Sequence, residues 1–217
     1  MRTINLFANP NEFFEERIKY PTMTAQSAII LVTALAFGGQ MIGVYFTTLG
    51  MEVNHYESLI IVLSIVQMIV PLVLWPAFTL IFWGIGKAVN AQLRFKLLLR
   101  LTGWGFLPMI GAGMSLALGR YVPLRAANPC NAALVCDPAY TGTLTLLVED
   151  LFLYIGSATS SVVFQAAFVV AVLFILLSAY LWYNAVYEAS TLTRQGAFLA
   201  VAPPVLVCLV VYTYVTF

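Results

Sequence analysis

The sequence predicts an all-α, polytopic integral membrane helical bundle of five transmembrane helices, with the N-terminus cytoplasmic and the C-terminus external. Three observations lead there. The 217 residues are 62% hydrophobic and 9% charged, with a mean hydropathy of +0.94, whereas a soluble domain carries roughly 25% charged residues. A surface so poor in charge belongs in lipid. Next, five long runs carry no charge: Tyr20 to Met51, Ser58 to Gly86, Leu101 to Gly119, Leu151 to Tyr187 and Gln195 to Phe217. An apolar helix of about 20 residues crosses a hydrocarbon core of about 30 Å, so each run can supply one span. Barrel strands would instead alternate polar and apolar positions, and Val169 to Leu177 shows no alternation. Finally, Arg2, Arg17, Lys19, Lys87, Arg94, Lys96, Arg100 and Arg194 all fall on one side of this topology, and only Arg120 and Arg125 on the other. Lys and Arg near span ends stay cytoplasmic.

The resulting layout is one membrane domain over 1–217, with a cytoplasmic interfacial tail at 1–24, spans at 25–49, 59–86, 101–119, 161–184 and 197–217, and an external loop at 120–160. In the tail, Asn9 can cap a helix that opens on Pro10, and Glu12 sits where a capping box reaches back. Phe13, Phe14 and Ile18 then offer an apolar edge to a membrane surface, and Pro21 stops the helix; the alternative is a frayed polar tail. Glu12, Glu15 and Glu16 are unlike the basic start of a cleavable signal peptide. Pro71 and Pro76 interrupt the second span. The fourth run is too long for one span and has a polar break at Gly156 to Ser161. Thr143 to Tyr154 is therefore expected as an external interfacial helix, the alternative being part of a sixth span that would return the C-terminus to the inside.

Few residues offer chemistry. Cys130 and Cys136 lie in the external loop between Pro129 and Pro138, where an oxidising compartment favours a disulfide; the alternative is two free thiols. Cys208 suits packing in the last span. His55, the single histidine, lies between Glu52 and Glu57. A pH-sensing role there competes with simple solvation. Nucleophilic and metal-dependent hydrolysis both lack parts, since no base or ligand cluster falls in the spans. Glu15 and Glu16 superficially resemble paired-glutamate membrane proteases, but Arg17 follows them directly in a surface tail. The expectation is a protein without enzymatic activity, cofactor or metal. Near-neutral charge also argues against a nucleic-acid partner.

A small-solute or ion transporter or channel subunit is the alternative function. Its case rests on Gln40, Gln67 and Gln165 and on the prolines of the second span, but ionisable groups deep in the spans, which usually mark an ion path, are missing. Gly39 and Gly43 in the first span, and Gly111, Ser115 and Gly119 in the third, form stripes of small residues at intervals of four. These serve helix packing within one bundle or, on the sharper reading, a homo-oligomer seam.

The stretch from Phe82 to Pro108 is the most specific part of the chain. Lys87 closes the second span, Phe95 and Arg100 follow, and Trp104, Leu107 and Pro108 open the third. This pattern resembles the Yip family, the Ypt/Rab-interacting five-span membrane proteins, and its prokaryotic branch in particular. Asn9 to Phe14, and Glu188 with Arg194 before the last span, resemble it too. Ala88, Val89 and Asn90 replace the usual Gly-Gly, and Trp104 stands where Tyr is commoner. The resemblance implies a membrane-organising scaffold or adaptor in a prokaryotic cell membrane. Eukaryotic relatives bind small GTPases, partly through N-terminal cytosolic regions; with about 24 residues on that side, a GTPase partner is not carried over. The residues themselves suggest partners. Lys87, Arg94, Lys96 and Arg100 form a basic strip interleaved with Leu93, Phe95 and Leu97. It suits anionic membrane lipids or an acidic membrane-protein partner, or it acts only as a topology signal.

Overall fold

A computed structural model describes residues 5–19, 22–48, 56–89, 91–126 and 143–216. His55, Cys130, Cys136 and Pro21 lie outside the described residues. Among the described residues every regular element is a helix: α1 (Asn5–Ala8), α2 (Pro10–Ile18), α3 (Thr24–Thr48), α4 (Glu57–Ala88), α5 (Phe95–Trp104), α6 (Leu107–Ala126), α7 (Leu144–Ser157), α8 (Val162–Ala189) and α9 (Arg194–Thr216). Helices α3, α4 and α8 are long and apolar enough to cross a membrane. The pair α5 and α6, bent by 43° at its junction, forms a fourth candidate when counted as one broken span. The apolar stretch of α9 is shorter, covering Arg194–Val210, and contains Pro203 and Pro204.

Helices α3, α6 and α8 form the centre, with α6 packed between the other two. α4 lies against α3, and α9 against α8. The outer faces keep large apolar side chains exposed, including Leu31, Leu35, Ile65, Ile69, Leu173 and Leu206, as a lipid-facing surface requires and an aqueous one would not tolerate.

Small residues decide how closely the central helices approach. A methyl group added at Gly111 would meet the Phe174 ring on α8, and one at Gly119 would meet Ala167. Gly113 faces the backbone of Ala36 on α3. The third-span stripe is thus filled by helices of the same chain, with Ser115 donating back to the Gly111 carbonyl at 2.8 Å. In the first span the tight position is Gly38, against Met68, while Gly39 has open space beside it and Gly43 makes only ordinary contact with Tyr121. The Gly39/Gly43 spacing does not coincide with the face α3 turns to α4.

The third span differs most from expectation. The chain is already helical at Phe95, breaks at Gly105 and Phe106, and continues past Gly119 to Ala126. Pro108 has no N–H with which to continue the helix of α5, yet fits the first turn of α6. A methyl group at Gly105 would collide with Trp182. Arg120 therefore belongs to a helix rather than to a loop, where it donates to Gln40 Oε1 at 2.9 Å. A charge expected to end the span is accommodated within the helix, because the buried Gln40 amide accepts from the guanidinium.

At the end away from the N-terminal helices, α7 packs Leu151, Tyr154 and Ile155 into a cluster with Met41, Val44, Ile60 and Leu124. Tyr154 donates to Thr47 Oγ1 at 3.1 Å. Burial pushes the Tyr154 phenol above its ordinary pKa, and this hydrogen bond opposes the shift. With 14 residues, α7 reaches about 21 Å and falls short of a crossing. Ser161 then caps α8 by accepting from the Phe164 N–H at 3.1 Å.

Candidate functional site at the basic end of the bundle

Where α4 ends, the chain turns back and places Leu93 directly over Gly86, a fit that any side chain at Gly86 would block. The Ala91 N–H donates to the Gly86 carbonyl at 2.9 Å, and the Gln92 N–H donates to Thr191 Oγ1 at 3.2 Å, joining this turn to the link between α8 and α9. Helix α5 begins at Phe95 after an extended Arg94 whose side chain makes no cap. It is amphipathic: Arg94 and Lys96 are exposed, whereas Leu98, Arg100, Leu101 and Trp104 are buried.

The tail docks on that buried face. Phe13 and Phe14 are almost fully enclosed, with Leu6 beside them in the same core. Phe13 meets Trp104 edge-on at 5.0 Å, and the Arg17 guanidinium lies 5.1 Å and 5.2 Å from the Phe13 and Trp104 ring centres, within cation–π range. The edge expected to face a membrane is instead the docking face. Asn9 also departs from expectation: its amide donates to Glu12 Oε2 at 2.9 Å and caps no backbone group.

Arg100 separates from the other members of the basic strip. Lys87, Arg94 and Lys96 are exposed, but Arg100 is only 9% exposed and donates to the Ile18 carbonyl at 3.4 Å. That carbonyl lies at the end of α2, where helix acceptors are left unpaired. Phe95 is half-buried, edge-on to Trp83 at 6.2 Å, with Lys87 Nζ 6.0 Å from that indole. Leu107 is half-buried and Pro108 buried at the start of α6. The residues of the sequence motif therefore meet at one structural event, the turn into α5 and its break.

Polar groups around the break are satisfied inside the bundle. The Trp182 indole donates to the Thr102 carbonyl at 3.0 Å, and the Trp75 indole to the Leu99 carbonyl at 2.8 Å. The Thr79 and Thr102 hydroxyls are 2.8 Å apart, and Thr33 Oγ1 lies 3.2 Å from the Phe106 carbonyl. With its amide oxygen turned to the indole, Gln26 accepts from Trp104 Nε1 at 2.8 Å. An interrupted helix persists in lipid only when its freed carbonyls find such donors. Trp75, Thr79 and Trp182 do not stand out in the sequence, because each belongs to an apolar run and the contacts that matter here, from the two indoles to carbonyls and from the Thr79 hydroxyl to Thr102, are made with another helix. Among the described residues no group of three or more His, Cys, Asp or Glu could hold a metal ion.

No curated protein and no solved structure matches this chain. The family model of the Yip1 domain matches residues 4–215, a stretch that contains the docked tail, the broken α5–α6 segment and all the long apolar helices. The chain belongs to the Yip1 domain family, and it is a helical membrane protein of that family.

Proposed function

We propose that this chain is a non-enzymatic scaffold that organises a cell membrane through its basic end. In this reading α3, α4, the α5–α6 pair, α8 and α9 are five spans, the basic end is cytoplasmic, and the connection between α6 and α8 is external. The observation that carries it is the exposure of Lys87, Arg94 and Lys96 together, with no acidic residue anywhere from 87 to 100. Each basic residue near an anionic bilayer surface contributes about 1 kcal/mol. The partners are anionic lipids, the acidic face of a membrane protein, or a second copy of the chain.

The test uses the full chain reconstituted with labelled anionic or zwitterionic lipid, reading energy transfer from the protein's tryptophans to the label. Excess transfer to the anionic label is expected at low salt and should fall as salt rises. Arg94→Gln with Lys96→Gln should remove about 2 kcal/mol of that attraction. Unchanged enrichment in the double variant would leave the strip as a topology signal alone.

Topology is checked separately. Reporters fused after Gln92 and Gln195 should be cytoplasmic, and those after Tyr140 and at Phe217 external. A cytoplasmic reporter at Phe217 would refute five spans.

The competing transporter reading draws on Gln67, whose buried Oε1 has no partner. Against it, Gln165 is exposed and Gln40 is engaged by Arg120, so the three glutamines do not line one route.

A further inference from the structure

Between the end of α2 and the start of α5 lies a groove of about 760 Å³ lined by Arg94, Lys96 and Arg100 beside Ile18, Met23 and Phe95. Arg100 is 9% exposed, its Nε has no partner, and its Nη2 reaches only the Ile18 carbonyl, at 3.4 Å. Among the described residues no carboxylate pairs with it. Arginine cannot escape burial by losing its proton, and a desolvated guanidinium without a counter-charge is costly. An anion from outside the chain would supply that counter-charge. Arg94 and Lys96 add two exposed charges around the same groove, and no acid lines it. The first turn of α5 opens here too, with no side chain capping its N–H groups, which favours an anion further.

We infer that this groove holds the phosphate of one anionic phospholipid per chain. Arg100 binds phosphate oxygens from the buried side, and Arg94 and Lys96 close over them from the exposed side. Ile18, Met23 and Phe95 give the glycerol and upper acyl region an apolar wall, which a free phosphate ion would not use. Ile18 belongs to α2, so docking of the tail completes the site. The inference rests on the reading above that the basic end meets the membrane surface, and it adds a stoichiometric site to what would otherwise be diffuse attraction.

Native mass spectrometry of the full chain in detergent, titrated with dioleoyl phosphatidic acid, dioleoyl phosphatidylcholine or inorganic phosphate, tests it. One phosphatidic acid should be retained saturably, with weaker retention of phosphatidylcholine and phosphate. Arg100→Gln should weaken that binding about tenfold or more, as expected for loss of a charge-assisted contact, and Arg100→Lys should recover part of it. Because Arg100 also anchors α2, Lys96→Gln serves as a second variant that leaves the packing intact and should weaken binding several-fold. Arg194→Gln, elsewhere on the same end, should change nothing. Wild-type affinity in both Arg100→Gln and Lys96→Gln overturns the site, and phosphate binding as tight as the lipid overturns its assignment to lipid. Equal losses in Arg194→Gln and Lys96→Gln mean diffuse attraction, which overturns the groove but spares the scaffold reading. No preference for phosphatidic acid in the wild type overturns both the groove and anionic lipid as the partner of the basic end.

Discussion

Trp182→Ala is expected to destabilise the bundle by about 3–5 kcal/mol, the range for deleting a buried aromatic side chain. Its indole is 1% exposed and sits against Phe78 at 4.8 Å and Phe106 at 5.3 Å, with Gly105 beneath it. Truncation opens a cavity where α4, the α5–α6 break and α8 converge, and it removes the donor to the Thr102 carbonyl. Trp182→Phe separates the two effects. It keeps most of the ring contact and should cost about 1 kcal/mol for the lost hydrogen bond plus a smaller packing loss. Thermal loss of monodisperse protein in detergent, followed by size-exclusion chromatography, measures both variants. A change under about 1 kcal/mol for Trp182→Ala would mean that the break is not held by this side chain.

Replacing Phe13 and Phe14 together by Ala should undock the N-terminal helix while leaving the bundle folded. Both rings are buried, and each truncation alone falls in a class worth about 3–5 kcal/mol. A nine-residue helix has little stability of its own in water. Its order comes from docking, so loss of these contacts should melt α2 locally. The consequence is read by trypsin, which cuts after Arg17 and Lys19. Cleavage there should accelerate by at least a hundredfold, since the open population rises as docking weakens, with no matching fall in the melting temperature of the remainder. Equal cleavage rates for native and variant protein would show that the tail does not depend on its phenylalanines. If the groove binds phospholipid as inferred, the same variant also loses the Ile18 wall and should retain less phosphatidic acid.

Much of the helical content was legible in the sequence, because hydropathy acts at short range. Helices Thr24–Thr48, Glu57–Ala88 and Val162–Ala189 each overlap one of the long uncharged runs of the sequence. The polar stretch from Gly156 to Ser161 overlaps the junction at which α7 stops after Ser157 and α8 starts at Val162. The helix at Thr143 to Tyr154 was also readable, since α7 covers Leu144–Ser157. Family membership was legible for a related reason. The motif from Lys87 to Pro108 records a local backbone event, and such events leave residue signatures at fixed spacing.

The sequence by itself thus determined that the chain is helical, that it belongs in a membrane, and which segment is distinctive. Only the tertiary structure decided which faces those helices use. Apolar residues that face lipid and apolar residues that face a neighbouring helix are equally hydrophobic, so composition cannot separate Leu173, which is exposed, from Leu181, which is buried. The same degeneracy hid the docking of Phe13 and Phe14, which read as membrane-facing until α5 and α8 supplied a closer apolar surface. It also hid the inward turn of Arg100, because a charge count registers the sign of a residue and not whether its guanidinium ends in water or against the last carbonyl of another helix. Burial and pairing depend on residues distant in the chain, and that information exists only once the helices have packed.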